Sequence, residues 1–196
     1  MYNKTCLGIF REVYLNPGIH KRELSKQLKL GMPSIDYAIK KINGLLKEEK
    51  SRNRISYFLD YSKFELNAVL YSVEHERFSK LPLKIQTGFK SFINDLFDKP
   101  LIGIIFGSYA KGNYDKDSDL DVLLVYSFLK NEKNIENTAK KISMETGVKI
   151  SPIYLDYKSF KESFHDSTKA FFKNLQKNKI ILLGLEWWRQ LKNEEA

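Results

Sequence analysis

The stretch Ile104–Val125, IIFGSYAKGNYDKDSDLDVLLV, joins two apolar runs through a Gly-Ser pair and two closely spaced acids. The first run, residues 101–106, predicts a buried strand, and Gly107 after it predicts a tight turn into a short helix. The second run begins at Asp119 and predicts the next strand. Because side chains alternate across a strand, Asp119 and Asp121 are expected to project from the same face.

Acids at this spacing indicate a metal site. Two neighbouring carboxylates repel each other and raise each other's pKa, and a divalent cation between them keeps both ionised. Oxygen-only ligands favour Mg²⁺ or Mn²⁺. The turn before them suits an anion, because Gly107 permits close backbone approach, and the Ser108 hydroxyl and helix-start N–H groups are phosphate donors.

The whole pattern is a G-S pair, ten further residues and a D-x-D, framed by apolar strands. It resembles the nucleotidyltransferase superfamily related to DNA polymerase beta, and most of all its small, minimal branch, over roughly residues 81–190. The resemblance implies that an NTP, with ATP the expected one, lies with its phosphates against Gly107 and Ser108. It also implies that Asp119 and Asp121 are catalytic and hold Mg²⁺. Lys111 would add charge near the phosphates, unless its side chain simply faces solvent.

The implied reaction is an in-line attack on the α-phosphate that moves NMP to a macromolecular acceptor, protein or nucleic acid. The family usually adds a third carboxylate from a following strand, and the simplest alignment places Ser151 there. Asp156 lies five residues further on, where a regular strand points it to the opposite face and only a bulge would bring it round. The alternative function is therefore a catalytically weak nucleotide-binding sensor, fused to a winged-helix DNA-binding regulator or an antitoxin-like partner protein.

The segment before this region is basic. From His20 to Arg54, ten basic and four acidic residues give +6 of the net charge of +9. Apolar spacing predicts three short helices, the third over 32–50, followed by a basic turn and a strand at 55–59. This resembles a winged helix-turn-helix, whose third helix enters the major groove of duplex DNA. The nucleic-acid-binding residues so implied are Ser34, Tyr37, Lys40, Lys41, Arg52 and Arg54. Docking to a protein is the alternative role.

The predicted fold class is α+β: a winged helix-turn-helix domain at 1–62, a connecting helix at 63–80, and a nucleotidyltransferase α/β domain with a small mixed sheet at 81–196. No run of 18 apolar residues indicates a membrane helix, and the N-terminus lacks a signal-peptide pattern. Cys6 is the single cysteine, which excludes an intrachain disulfide and fits the cytoplasm.

The expected partners are the nucleotide, duplex DNA, and a protein acceptor or toxin. Trp187 and Trp188 are adjacent, so one helix face cannot bury both against the same surface. Either one packs within its domain and the other on another chain, as in a homodimer, or both are partly exposed.

Overall fold

The computed structural model describes residues 2–52, 54–166 and 168–195. They divide into two compact units. The first contains the residues up to Val73 together with Lys192–Glu194, and the second contains Glu74–Leu191 and Glu195. Within the described ranges, no helix is both long and apolar enough to cross a membrane.

The N-terminal unit builds a small antiparallel sheet beside a group of helices, with strand order β1-β3-β2. Apolar side chains at helical spacing form its core, among them Cys6, Ile9, Phe10, Leu24, Ile35 and Ile42. The elements, in chain order, are α1 (Lys4–Leu15), β1 (Ile19–His20), α2 (Lys21–Leu28), α3 (Met32–Ile42), β2 (Leu46–Ser51), β3 (Arg54–Leu59) and α4 (Leu66–Ser79), the last of which continues into the second unit.

The prediction of a single helix over 32–50 is wrong. Helix α3 ends at Ile42, a 3-10 turn covers Asn43–Leu45, and the next six residues form β2. Asparagine and glycine are poor helix formers, so the helix stops there. The Lys- and Glu-rich residues that follow would suit a helix alone, but pairing with β3 decides their conformation, and it sets Leu46 opposite Leu59 with both side chains buried.

The C-terminal unit contains a mixed sheet with strand order β6-β5-β4-β7. Strands β5 and β6 are parallel, whereas β4 is antiparallel to both of its neighbours. The elements, in chain order, are α5 (Leu83–Asp95), β4 (Ile102–Ile105), α6 (Gly107–Lys111), β5 (Leu120–Tyr126), α7 (Glu132–Thr146), β6 (Ile150–Asp156), α8 (Tyr157–Phe164), α9 (Ala170–Lys177), β7 (Ile180–Leu183) and α10 (Leu185–Glu194).

The central strands β4 and β5 are buried along their length after the first residues of β5. Their side chains and those of α5 and α7 form one apolar core, which includes Phe89, Phe92, Val122 and Ile142. A parallel pair needs a crossover connection, and α7 supplies it between β5 and β6. Asp119 and Asp121 therefore lie at the beginning of β5, where the buried core gives way to a half-buried edge.

The two adjacent tryptophans have different surroundings within the C-terminal unit. Trp188 is fully buried and packs edge-to-face on Phe164, with ring centroids 4.8 Å apart. Trp187 is half-buried and contacts the ring of Tyr157 at 5.3 Å. Trp188 thus packs inside its domain, so the alternative in which both tryptophans are partly exposed is wrong, while a contact of Trp187 with another chain stays a prediction.

Candidate functional site

The turn after β4 brings Gly107 against Asp121. The backbone N–H of Phe106 donates to the carbonyl oxygen of Asp121 at 3.1 Å, which ties the turn to β5. Gly107 has a φ of +68°, and a Cβ built on it would lie 1.9 Å from Oδ2 of Asp121. The position therefore requires glycine for two reasons: its backbone conformation, and the lack of space for a Cβ beside the carboxylate.

The two acids are electrostatically coupled. Burial, and then the negative charge of Asp119, raise the pKa of Asp121, while the ammonium of Lys111 acts in the opposite direction. Asp119 forms an ion pair with Lys149, whose Nζ lies 2.6 Å from Oδ2. Sequence reasoning missed Lys149, which lies just before β6 and carries no motif of its own. Negative charge is thus concentrated at the start of β5 and is partly neutralised by two lysines.

The acidic turn between α6 and β5 has an ordered hydrogen-bond pattern of its own. Oγ of Ser118 donates to Oδ1 of Asp115 at 3.0 Å, and the N–H of Asp117 donates to the same oxygen at 3.0 Å. The ring of Tyr109 stacks on that of Tyr114, with centroids 4.6 Å apart. Asp115 therefore stabilises the turn through hydrogen bonds, whereas Asp119 and Asp121 lie after the turn in the chain.

The chemistry of these residues fits a hard divalent cation that arrives with phosphate. In the part of the chain that the structure describes, no group of three or more His, Cys, Asp and Glu side chains could hold a metal alone. Mg²⁺, however, usually binds one or two protein carboxylates and completes its shell with water and substrate phosphates. Asp119 and Asp121 supply two such carboxylates. Burial raises the pKa of Asp121 most, and the negative charge of Asp119 raises it further, which is the part that a cation between the two would relieve.

Comparisons with known proteins identify the family. A model of the "Nucleotidyltransferase domain" family matches residues 87–182. A Methanocaldococcus jannaschii protein named "Putative protein adenylyltransferase" is 39% identical over 71 residues, which cover 35% of this chain and 71% of that protein. The chain belongs to the nucleotidyltransferase domain family. The resemblance stated from the motif is thereby confirmed for this part of the chain.

Two solved structures are also similar to this chain. One, described as "Crystal structure of the toxin-antitoxin with AMP-PNP", has a TM-score of 0.41 and 16% identity, and the match covers 56% of this chain and 81% of that one. The other, a mutant of the toxin-antitoxin MntA-HpeT, has a TM-score of 0.40 and 15% identity over the same shares of the two chains.

The register of β5 and β6 shows where Ser151 and Asp156 lie relative to Asp121. Asp121 pairs with Ser151, and the pairing continues in step to Tyr126 and Asp156 at the other end of the strands. The carboxylate of Asp156 caps α8, because it accepts bonds from the N–H and Oγ of Ser159, both at 2.9 Å. These bonds lower its pKa. Ser151 is therefore the neighbour of Asp121, and Asp156 is a helix cap.

A buried ion pair in the C-terminal unit contacts the end of α6. Glu74 is fully buried and pairs with Arg77 at 3.0 Å. The guanidinium of Arg77 also donates to the carbonyl of Ala110 at 3.2 Å and to that of Lys179. Because the last carbonyls of a helix lack helical partners, this bond completes α6 at its C-terminal end. The sequence predicted only a connecting helix here, since an i, i+3 pair of opposite charges usually faces solvent.

The residues predicted to bind nucleic acid lie on the surface of the N-terminal unit. Lys41 and Tyr37 contact each other, with Nζ 5.0 Å from the ring centroid. Arg52 and Arg54 lie where β2 turns into β3, on either side of residue 53, which is outside the described residues. All six side chains are exposed: Ser34, Tyr37, Lys40, Lys41, Arg52 and Arg54.

Proposed function

We propose that the C-terminal domain transfers NMP from an NTP to a macromolecular acceptor, with ATP as donor and AMP as the group transferred. The observation that carries the proposal is the contact of Gly107 with the carboxylate of Asp121, beside the second acid, Asp119. Family membership supports the reaction type. The name of the Methanocaldococcus jannaschii relative supports the adenylyl group and a protein acceptor.

In this proposal the turn at Gly107 and Ser108 receives the phosphates, and Lys111 adds positive charge beside them. Asp119 and Asp121 would bind Mg²⁺, or Mn²⁺, together with oxygens of the phosphates. The chemistry that bound divalent cations supply is a lower pKa for the acceptor hydroxyl and stabilisation of the leaving pyrophosphate. The acceptor oxygen forms a bond to the α-phosphorus, and the bond from that phosphorus to the bridging oxygen breaks.

Ser151 favours a second candidate, nucleotide binding with little turnover. A serine beside Asp121 is neither a general base without help nor a strong Mg²⁺ ligand. A positioned general base contributes about 10²- to 10⁴-fold to a rate, so its loss would leave slow transfer or none. The domain would then act as a nucleotide sensor for the regulator or antitoxin-like protein that carries it.

Transfer of label from α-³²P-ATP with Mg²⁺ tests the two candidates. We expect label on a protein or nucleic acid, and none from γ-³²P-ATP, because only the AMP portion is transferred. Asp119→Asn with Asp121→Asn should abolish transfer and Mg²⁺-dependent ATP binding in calorimetry. Asp117→Asn, in the same turn, is the matched control and should change neither.

Unchanged ATP affinity in the double variant would refute the metal site. ATP binding that depends on both acids, without transfer to any acceptor, would make the sensor the better account.

For the N-terminal unit we propose a winged helix-turn-helix at 1–62 that binds duplex DNA, with α3 as the recognition helix and the β2–β3 hairpin as the wing. The order of its elements and the exposed basic side chains of α3 and the hairpin support this. The proposed boundaries of the remaining parts are 63–80 for the connecting helix and 81–196 for the transferase domain. Docking to a protein is the alternative, and a toxin-like partner, a homodimer and a cytoplasmic location stay predictions.

A further inference from the structure

A cavity of about 160 Å³ lies beside the turn, between α6 and α9. Gly107 and Lys111 form one side of it, so the cavity shares two residues with the proposed phosphate site. Helix α9 forms the opposite side through Phe171, Asn174 and Leu175. A ligand bound at the turn would therefore have an adjoining recess for any further part of the molecule.

The apolar walls of this cavity are mainly aromatic. Phe106 and Phe171 meet edge-to-face, with ring centroids 5.4 Å apart and an interplanar angle of 88°. Both rings are half-buried, and Leu175, which also lines the cavity, is buried. A cavity of about 150 Å³ is known to hold a benzene ring, so this one suits a flat ring of modest size. Aromatic side chains bind such rings by stacking or edge contacts.

Two carboxamides line the rest of the cavity. Nδ2 of Asn178 donates to Oδ1 of Asn174 at 2.9 Å. This bond uses one N–H of Asn178 and one lone pair of the Asn174 carbonyl oxygen. The Asn174 amino group, as a donor, and the Asn178 carbonyl, as an acceptor, take no part in it. Adenine presents the complementary pair, because its exocyclic N6 donates and the neighbouring ring nitrogen N7 accepts. The corresponding edge of guanine, N7 and O6, offers only acceptors.

We propose that this cavity binds the base of the nucleotide and favours adenine. The inference rests on the proposed function, because the phosphates must lie on the Gly107 turn for the base to reach the recess. Phe171 and Phe106 provide the ring contacts, and Asn174 and Asn178 recognise the edge of the base. Recognition of the donor nucleotide is thus assigned to α9, some 60 residues after the Gly-Ser motif in the chain.

Calorimetry with ATP, GTP and inorganic tripolyphosphate, each with Mg²⁺, tests the proposal on the full chain. We expect the wild type to bind ATP more tightly than GTP or tripolyphosphate. Because base–aromatic stacking is lost, Phe171→Leu should weaken ATP binding by about 5- to 150-fold and leave tripolyphosphate binding unchanged. Asn174→Ala should weaken ATP binding and reduce the preference over GTP.

Two matched controls remove the same groups elsewhere. Phe97→Leu changes an exposed phenylalanine that is 81% accessible, and Asn137→Ala removes an exposed carboxamide from α7. Neither should alter ATP affinity. Thermal denaturation of each variant identifies any that fails to fold, and the exposed Asn174 keeps the test valid if Phe171→Leu does not fold.

The outcomes separate this inference from the proposed function. The base site is overturned if the wild type binds ATP and tripolyphosphate equally tightly. It is also overturned if the variants keep full ATP affinity, even if AMP transfer is observed. Variants that change only the apparent affinity for an acceptor overturn it too, since the cavity would then receive the acceptor. ATP binding that depends on Phe171 and Asn174 without any transfer upholds the base site and refutes the enzyme. Absence of any nucleotide binding overturns both.

Discussion

The two compact units place their functional candidates in different settings. In the N-terminal unit, Lys40, Lys41 and Arg52 project from the surface and depend on few neighbours. In the C-terminal unit, Asp121 is half-buried, and its carboxylate lies close to Gly107. Burial and the negative charge of Asp119 both disfavour its ionised form. A surface charge can move without consequence for the fold, whereas a half-buried carboxylate is fixed by contacts of a few ångström. The two sites should therefore respond very differently to substitution.

The largest effect is expected where a third acid is added to the half-buried site. Ser151→Asp introduces a carboxylate beside Asp121 and should raise the rate of AMP transfer by about 10²- to 10⁴-fold, the contribution of a general base. Single-turnover kinetics with labelled ATP measure the change.

Asp156→Asn is the matched control, because asparagine also caps helices well and the residue lies at the far end of β6. Loss of transfer in this control, with no gain from Ser151→Asp, would mean that Asp156 is the third ligand.

Removing the close approach at the turn should break the site while the fold persists. Gly107→Ala would push a Cβ into the carboxylate of Asp121, which must then rotate away. We expect Mg²⁺-dependent ATP affinity to fall by about 100-fold, comparable to the loss of a group that orients a metal ligand. Calorimetry measures it.

Gly112→Ala separates the contact from backbone strain. Gly112 also has a positive φ, of +77°, but a Cβ there meets nothing within 4 Å. Gly112→Ala should lose about 1–2 kcal/mol of unfolding free energy in urea, because it places a Cβ in the left-handed region. Gly107→Ala should lose that amount and more, because its Cβ must also displace the Asp121 carboxylate. Equal ATP affinities in the two variants would contradict the importance of the Asp121 contact.

Changes to the surface site should be smaller and graded. If the N-terminal unit binds duplex DNA, Lys40→Ala, Lys41→Ala and Arg52→Ala should each reduce the slope of log affinity against log salt by about one. Gel-shift titrations at several salt concentrations measure the slopes, and Lys4→Ala, on α1, is the control. Failure to bind any duplex at low salt would favour protein docking.

The smallest expected effect is on the pH dependence of the free energy of unfolding of the metal-free protein. The folded pKa of Asp121 is raised above its ordinary value of 3.8, so the folded chain holds this proton more tightly than the unfolded chain does. The resulting stability is present below pH 3.8 and is lost as the pH rises through the folded pKa. Asp121→Asn should therefore gain stability over the wild type across that window and keep the gain at neutral pH. Urea denaturation in chelator-treated buffer at several pH values tests the sign.

The parts of the site that follow strand geometry could be predicted from the sequence. The apolar run at 101–106 became β4, Ile102–Ile105, and the run after Asp119 became β5. Strand alternation also gave the correct relation of Ser151 to Asp156, because no bulge interrupts the pairing of β5 with β6 over these residues. Period-two patterns are local, and the buried centre of a sheet leaves them little freedom.

The parts that depend on distant contacts could not be predicted. Lys149, Arg77 and Asn174 carry no local pattern, and only the assembled sheet brings them to the turn or the acids. The error over 32–50 has the same origin, since β2 becomes a strand only through its partner β3. In each case tertiary contacts outweigh the preference of the local segment.

Gly107 has one more consequence, for the tolerance of the chain to mutation. Every other amino acid adds at least one carbon atom at the place where the carboxylate of Asp121 lies. The position therefore has no conservative replacement, whereas at Gly112, at the other end of α6, the backbone conformation alone opposes a side chain. Among natural variants of this chain, a non-glycine residue at 107 should mark a copy that has lost the proposed transfer activity, whatever its nucleotide or acceptor.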